Sequence, residues 1–403
     1  MRVLFIPSGD DKYGAPKSMM ELVGNLKRRH GIEPVIMTCS YGKINDWCKE
    51  NKIESYVLGQ SAFMVVGGSN LLRKIVKHSM YPYLRYRYLE ENKKARKRIE
   101  ELLKNKEIDI VHTNVNRIDV GGYYAQAHNI PHLMHLREFG REDYNCMYLR
   151  SDAIDFMNKT TIQFIAISNA VKKAWIQKGL DENKIDVIYN GIDFTKFPTE
   201  LPVRAKEEGA VLMIAFAGII SETKGQIQLI KAVEILPEEV RNRIKIDFYG
   251  GGRKAYINSL KKYVVDRNMN SVIEFKGYCS IIPEVLPKYD VGVVSSRAEA
   301  FGRVTAEYMA AGLCVIASNT GANPEIVENG KTGLIYKLGN SKELADCIMQ
   351  LTNDWQNLQL MRASAFNAVR KKYTMDRCAD EIYSLYEEVL SNYDRNRNSL
   401  QNK

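Results

Sequence analysis

The chain has 403 residues, of which 45% are hydrophobic and 26% are charged, and its formal net charge is +10. This length favours two or three domains with sizeable cores, and no segment reaches the roughly 18 to 20 apolar residues of a membrane span. The seven cysteines are widely spaced and include no C-x-x-C pair, which is typical of reduced thiols and argues against a disulfide framework. We therefore expect a cytoplasmic protein without an N-terminal signal.

Apolar, β-branched runs alternate with helical patterns through both halves of the chain. The first half has predicted helices such as 18–29 and 92–106, and its predicted strands are 2–7, 33–38, 109–112, 132–136 and 163–167. The predicted strands of the second half are 211–217, 245–249, 273–276, 291–294 and 314–317. This pattern predicts an α/β fold with mostly parallel sheets, built twice.

A polar, charged segment with two prolines separates the two halves and is a predicted linker. We predict a first domain at 1–195, a linker at 196–209, a second domain at 210–375 and a final helix with a tail at 376–403. Ligands of open parallel sheets bind beyond the carboxyl ends of the strands, so we expect the active site in the cleft between the two domains.

The segment R-A-E-A-F-G-R-V-T-A-E holds two glutamates, Glu299 and Glu307, on either side of a glycine-containing turn. An apolar strand precedes the turn and helix-forming residues follow it. The amide groups of Phe301, Gly302 and Arg303 would lie at a helix N-terminus, which attracts anions. A phosphate flanked by hydroxyl groups, as in a nucleotide sugar, suits this arrangement.

The stretch from Glu299 to Ser318, with its Glu-x7-Glu motif, resembles the family-four retaining glycosyltransferases, which have two facing Rossmann-like domains of the GT-B type. The resemblance implies that Glu299 contacts sugar hydroxyls, that Glu307 contacts the ribose and that the amides between them contact the diphosphate. It also implies that the final helix crosses back to the first domain. The alternative for an isolated motif of this kind is an ordinary turn with two solvated glutamates.

Two further loops of the second half resemble donor-binding segments of that family. Lys224 keeps the expected cation of the loop after the first strand, although Ile219 stands where the family often has arginine, so one usual diphosphate contact is missing. Tyr278 lies in a segment that resembles the base-binding segment. The alternatives are a solvated lysine and a tyrosine packed in the core.

All six histidines lie in the first half, so a catalytic imidazole must come from there. The resemblance implies that His135, at the end of a strand, lies near the transferred sugar, with Arg137 and Glu138 as neighbours. His112 ends another strand and is a weaker candidate on the acceptor side. Gly14 matches a glycine-rich loop whose backbone faces the donor. Structural histidines and a plain strand-helix turn are the alternatives.

No metal-binding set stands out, so we expect no cofactor and a metal-independent stabilisation of the leaving diphosphate by Lys224 and helix amides. The resemblance implies front-face attack, in which the departing phosphate helps to deprotonate the acceptor. A UDP-sugar is expected because such donors are frequent in the family, and the acceptor is expected to be a saccharide or a lipid-linked saccharide of polysaccharide or glycoconjugate assembly.

Ten lysines and arginines lie between Arg73 and Arg98, interleaved with four tyrosines and preceded by an apolar run at 62–66. This pattern favours peripheral contact of residues 62–98 with an anionic membrane, on the inner face of the cell membrane, and we expect no nucleic acid. A solvated helix face with inward tyrosines is the alternative. The sequence leaves two rival functions open: a non-hydrolysing sugar-nucleotide epimerase, and a non-catalytic basic protein that binds membrane or nucleic acid.

Overall fold

The structure is a computed structural model that describes residues 1–7, 14–66, 77–140, 145–203 and 210–401. It divides the chain into two compact units. The first unit contains Met1–Gly191 together with Met375–Lys403, and the second contains Ile192–Thr374. Each unit has its own parallel sheet and its own hydrophobic core.

The chain passes into the second unit at Ile192, a few residues before the predicted linker. The backbone reason is that Ile192 donates a hydrogen bond from its amide to the Tyr373 carbonyl, 2.8 Å away. Farther on, the buried Arg362 donates to the carbonyl oxygen of Pro202 at 3.1 Å. The described part of the predicted linker therefore packs on the second unit, and residues 204–209 lie outside the described residues.

A seven-stranded sheet of parallel strands forms the centre of the first unit as the structure describes it, with strand order β3-β2-β1-β5-β6-β8-β9. Its inner strands are mostly apolar and buried because helices cover both faces of a parallel sheet, whereas the edge strands are more polar and partly exposed. The strands of the unit, including the antiparallel pair β4 and β7, are β1 Arg2–Ile6, β2 Glu33–Thr38, β3 Glu54–Val57, β4 Met64–Val65, β5 Ile110–Thr113, β6 His132–Leu136, β7 Met147–Tyr148, β8 Gln163–Ala166 and β9 Ile185–Val187.

The helices of the first unit include one from the end of the chain. They are α1 Gly14–His30, α2 Lys43–Glu50, α3 Tyr81–Leu103, α4 Val120–His128, α5 Ala153–Thr160, α6 Asn169–Gln177 and, after the second unit, α15 Met375–Gln401. Helix α15 packs its apolar side, including Ile382 and Tyr386, into the same core cluster as Leu22 and Leu26 of α1. This return of the chain brings a late segment of the sequence to the first sheet.

Helix α3 begins at Tyr81, eleven residues before the predicted start at 92. Its buried residues are Tyr88, Asn92, Ala95, Ile99 and Leu103, which follow a helical period. The sequence pattern missed the first turns because most side chains from 81 to 91 are exposed and only Tyr88 is buried there, so the apolar periodicity is weak.

The second unit is built around a six-stranded sheet of parallel strands within the described residues, in the order β12-β11-β10-β13-β14-β15. The strands are β10 Leu212–Ala217, β11 Ile244–Tyr249, β12 Ile273–Gly277, β13 Val291–Val294, β14 Cys314–Ser318 and β15 Gly333–Tyr336. The helices are α7 Gln226–Ile235, α8 Glu238–Arg241, α9 Lys254–Asp266, α10 Ile282–Val285, α11 Arg303–Ala310, α12 Asn323–Ile326, α13 Ser341–Asn353 and α14 Trp355–Lys372.

Candidate functional site

Three loops meet at the carboxyl edge of the second sheet. The amide of Gly218, after β10, donates to the Tyr249 carbonyl at 2.9 Å, and the Gly250 amide, after β11, donates to the Gly277 carbonyl at 2.7 Å. These backbone bonds hold the loops after β10, β11 and β12 together at the edge where parallel α/β sheets bind ligands. Tyr249 and Gly250, at the end of β11, thus connect the loop that contains Lys224 with the loop that contains Tyr278.

Lys224 and Glu299 form an ion pair at this edge, between the Lys224 ammonium and Glu299 Oε1. The Glu299 side chain is 12% exposed and the Lys224 side chain is 32% exposed. A backbone hydrogen bond of 2.9 Å, from the Arg297 amide to the Thr223 carbonyl, joins the two loops that carry them. The structure therefore brings together the cation predicted for the diphosphate and the carboxylate predicted for the sugar.

The turn between Glu299 and α11 has the form expected for a helix start. Gly302 is the residue before the helix and has φ +82°, a left-handed conformation that favours glycine. Phe301 is buried and packs edge-on against Tyr373, with ring centroids 5.6 Å apart. An α-helix leaves its first amides without acceptors inside the helix, and α11 begins at Arg303. The predicted anion position therefore coincides with a helix N-terminus.

Glu307 lies one turn into α11, where Arg303 Nε donates a hydrogen bond to Glu307 Oε1 at 2.9 Å. Both side chains are largely buried. Each glutamate of the Glu-x7-Glu motif thus has a cationic partner within the second unit. A ribose hydroxyl that bound Glu307 would share the carboxylate with Arg303, since a carboxylate can accept several hydrogen bonds.

The backbone around Glu299 is fixed by the loop that follows β14. The Ala322 amide donates to the Glu299 carbonyl at 2.8 Å. Gly321, with φ +56°, lies so close that a Cβ atom there would be 2.7 Å from the Glu299 amide nitrogen and closer still to its carbonyl oxygen. Gly321 and Glu299 are therefore in backbone contact although they are far apart in the sequence.

The other donor-loop candidates are on the surface of the second unit. Tyr278 is 82% exposed, which contradicts the alternative that it packs in the core and leaves its ring accessible to a ligand. Ile219, at the position where the resemblance expects arginine, is about half exposed. Its carbonyl accepts a hydrogen bond of 3.0 Å from Gln226 Nε2.

His135 lies in β6 and forms a buried hydrogen-bonded pair with His112 of the neighbouring strand β5. His112 Nε2 and His135 Nδ1 are 2.7 Å apart, and His112 Nδ1 is hydrogen-bonded to the hydroxyl of Tyr386 on α15. Burial, followed by the nearby charge of Arg137, holds the pKa of both imidazoles well below the usual range. Both ring nitrogens of His112 are hydrogen-bonded within the first unit, so neither is left to bind an acceptor saccharide.

Arg137 follows β6 and is also buried, although the sequence suggested a residue that lines the active site. Its Nη2 donates to Asn114 Oδ1 at 2.8 Å and its Nη1 donates to Asn190 Oδ1 at 2.8 Å. The carboxylate of Glu138 lies 3.8 Å from Arg117 Nη1. Arg137 thus fixes the ends of three strands, because Asn114 follows β5 and Asn190 follows β9.

Gly14 is exposed and is the first residue of α1. A Cβ atom there would meet no other atom within 4 Å. The rest of the glycine-rich segment that precedes it, residues 8–13, lies outside the described residues. The predicted role of Gly14 near the donor therefore stays a prediction.

The predicted site residues do not include Tyr386, Asn114 or Asn190. Asn114 follows the buried strand β5 and Asn190 lies just beyond the edge strand β9, positions that could have marked them as residues of the carboxyl edge. Tyr386 carries no such signal, since it lies in an amphipathic helix 274 residues from His112.

The described residues contain neither a metal-binding cluster nor a membrane-spanning helix. No three His, Cys, Asp or Glu side chains in that part of the chain lie close enough together to hold a metal ion. None of the helices within the described ranges has the length and apolar character needed to cross a bilayer.

Comparison with known proteins agrees with this geometry. The profile of Glycosyltransferase Family 4 matches residues 14–196, and the profile described as Glycosyl transferases group 1 matches residues 200–368. The chain is 24% identical over 309 residues to the UDP-Gal:alpha-D-GlcNAc-diphosphoundecaprenol alpha-1,3-galactosyltransferase of Escherichia coli. The aligned region covers 72% of this chain and 78% of that relative.

Two solved structures share the fold over nearly the whole chain. HepE of Anabaena, crystallised in complex with UDP, has a TM-score of 0.76 at 19% identity and covers 96% of this chain and 100% of its own. A glycosyltransferase from Rickettsia africae ESF-5 has a TM-score of 0.75 at 20% identity, with coverage of 97% and 99%. The chain therefore belongs to the family-four glycosyltransferases and has their GT-B fold of two Rossmann-like domains.

Proposed function

We propose that this glycosyltransferase transfers a sugar, with retention of the anomeric configuration, from a nucleotide-sugar donor to a saccharide or lipid-linked saccharide. The observation that carries the proposal is the ion pair of Lys224 and Glu299 beside the N-terminus of α11. It combines a cation for a diphosphate with a carboxylate for sugar hydroxyls at the ligand-binding edge of a parallel sheet.

The roles follow from charge and position. Lys224 and the amides from Phe301 to Arg303 would stabilise the leaving diphosphate without a metal ion, and Glu307 would accept hydrogen bonds from the ribose. Glu299 would orient the sugar, and backbone groups beside Tyr278 would contact the base. The departing phosphate would take the acceptor proton, so the protein contributes positioning and charge stabilisation.

UDP is the proposed nucleotide. The name of the Escherichia coli relative specifies UDP-Gal and a diphosphoundecaprenol-linked acceptor, and HepE was crystallised with UDP. These names support a UDP-sugar donor and a lipid-linked saccharide acceptor for this chain. They also support glycoconjugate assembly as the setting of the proposed reaction.

An anionic lipid surface is the proposed partner of the basic region at 62–98. On α3, Tyr83 is 55% exposed and Tyr86 is 65% exposed, so these two rings do not pack inward. Exposed Arg85, Arg87 and Lys94 lie on the same helix. Aromatic rings beside basic side chains are typical of interfacial anchors. Flotation with liposomes that contain anionic lipid tests this contact, and equal flotation with neutral liposomes would contradict it.

The first test of the function is thermal unfolding with UDP, GDP, ADP and their sugars, in the presence of a chelator. A ligand that binds only the folded state raises the unfolding temperature through RT ln(1 + [L]/Kd). We expect uridine compounds to stabilise the protein. A lack of stabilisation by every nucleotide would contradict the donor assignment.

Product analysis then separates transfer from its alternatives. Transfer releases free nucleoside diphosphate, whereas epimerisation of a nucleotide sugar releases none, and a non-catalytic binding protein changes neither. We expect Glu299→Ala to abolish transfer while nucleotide binding stays measurable. Full activity of that variant would contradict the role of Glu299.

A further inference from the structure

Three buried side chains from distant parts of the sequence form one hydrogen-bonded chain in the first unit. The Tyr386 hydroxyl on α15 is hydrogen-bonded to His112 of β5, and His112 is hydrogen-bonded to His135 of β6. The two imidazole rings are stacked, with centroids 4.8 Å apart and planes 21° apart. All three side chains are at least 99% buried. Buried chains of this kind have a direction, because each hydrogen bond needs one proton.

The Tyr386 hydroxyl sets that direction. In the part of the chain that the structure describes, its one hydrogen-bond partner is His112 Nδ1. If the hydroxyl accepted a hydrogen bond from His112, its own O–H would be left buried without an acceptor, which is unfavourable. If it donates, only an oxygen lone pair is left over. Donation by Tyr386 is therefore favoured, and His112 Nδ1 is the acceptor.

The direction passes from His112 to His135. A neutral imidazole carries one proton, so an accepting Nδ1 places the proton of His112 on Nε2, which then donates to His135 Nδ1. Arg137 supports this direction, because its Nη2, also a donor, lies 3.5 Å from the same His135 Nδ1. With Nδ1 as an acceptor, the proton of His135 is on Nε2.

We propose that Tyr386 and His112 are positioning residues that hold His135 with its proton on Nε2, so that His135 is a hydrogen-bond donor and not a base. The proposal rests on the proposed function only for its ligand, which is an oxygen atom of the transferred sugar. Another group must then deprotonate the hydroxyl of the acceptor saccharide, in agreement with the departing phosphate as the base.

The same strand contains an internal reference for this assignment. His132 Nδ1 lies 3.1 Å from the carbonyl oxygen of Thr160, and its Nε2 lies 2.8 Å from Thr113 Oγ1. A carbonyl oxygen can only accept, so His132 must carry its proton on Nδ1. Strand β6 is therefore expected to hold two neutral histidines of opposite tautomer, His132 and His135.

Nitrogen NMR of the full chain labelled with 15N-histidine tests the tautomers without any substrate. Six histidines give a resolvable set, and single His→Gln variants assign His112, His132 and His135. At neutral pH we expect His112 and His135 to show the Nε2-protonated pattern and His132 the Nδ1-protonated pattern. A proton on Nδ1 of His135, or a charged His135, would overturn the proposal.

Tyr386→Phe tests the origin of the direction. Without the hydroxyl, His112 Nδ1 has no donor and only Arg137 still favours a proton on His135 Nε2, so we expect the His135 resonances to move part of the way toward a mixture of tautomers. Tyr383→Phe is the matched control, since Tyr383 lies one turn earlier on α15 and stacks on His30 with centroids 4.1 Å apart. Unchanged His135 resonances in Tyr386→Phe would refute the role of the hydroxyl.

Activity provides a second readout. We expect Tyr386→Phe to lower kcat for transfer by about two- to tenfold, which corresponds to the net contribution of one hydrogen bond. The affinity for UDP should be unchanged. His135→Gln keeps an N–H donor near the Nε2 position, so it should be at least about tenfold more active than His135→Ala. Equal activity of these two variants would contradict a donor role. If the wild-type protein transfers no sugar, the proposed function fails, while the NMR test of the tautomers still decides this proposal.

Discussion

Removal of the Glu299 charge should tighten nucleotide binding and impair transfer at the same time. Glu299 forms an ion pair with Lys224, the proposed ligand of the diphosphate. A diphosphate that recruits Lys224 must first weaken this pair. Glu299→Gln keeps the shape of the side chain and removes the charge, so Lys224 becomes available without that cost.

The size of the effect follows from the exposure of the pair, in which Lys224 is 32% exposed and Glu299 is 12% exposed. A partly solvated ion pair contributes about 0.5 to 1 kcal/mol, which corresponds to about two- to fivefold tighter UDP binding in Glu299→Gln. Transfer loses a charged hydrogen bond to the sugar, about 1.5 to 3 kcal/mol, so kcat/KM should fall about ten- to 150-fold.

Calorimetric titration with UDP and a nucleoside diphosphate release assay measure the two effects separately. Lys224→Met should weaken UDP binding by about tenfold or more, because a charge-assisted bond to phosphate is lost. Glu328→Gln is the control, since Glu328 pairs with Lys331 on the surface of the same unit. If Glu299→Gln weakens UDP binding as much as Lys224→Met does, the reasoning is wrong.

Three other perturbations have defined outcomes. Gly321→Ala should lower both the unfolding temperature and the rate of transfer, because its Cβ would collide with the backbone of Glu299. Gly330→Ala is the control with the smaller expected effect, since Gly330 also has a positive φ but lies in open space. Equal effects of the two variants would contradict the collision. Burial lowers the pKa of His132 to about 4. The unfolded chain therefore takes up a proton near pH 6.5 that the folded state does not, and His132 alone should lower the stability by about 2 kcal/mol between pH 6.5 and pH 5. The lowered pKa values of His112 and His135 add to this loss. Urea unfolding at pH 7 and pH 5 measures this loss, and equal stabilities would exclude it. Tyr86→Ser should reduce flotation with anionic liposomes without a change in unfolding temperature, and unchanged flotation would exclude Tyr86 as an anchor.

Local features of the sequence were sufficient for the fold class and for the turn that carries Glu299 and Glu307. A buried parallel strand is a short apolar run, and a helix start depends on a few neighbouring residues, so both leave a signal within about ten residues. The strand predicted at 291–294 and the helix start after Gly302 are found in the structure for that reason. The beginning of α3 was missed because exposed aromatic side chains remove the periodic signal there.

The sequence alone therefore determined the α/β architecture, the family resemblance and the candidate glutamates, all of which depend on short-range patterns. Only the tertiary structure decided that Lys224 pairs with Glu299, 75 residues away, and that Tyr386 bonds His112, 274 residues away. Such contacts depend on strand order and on the return of α15 to the first unit. Periodicity carries no information about either, because it reports which face of an element is buried and not which element covers it.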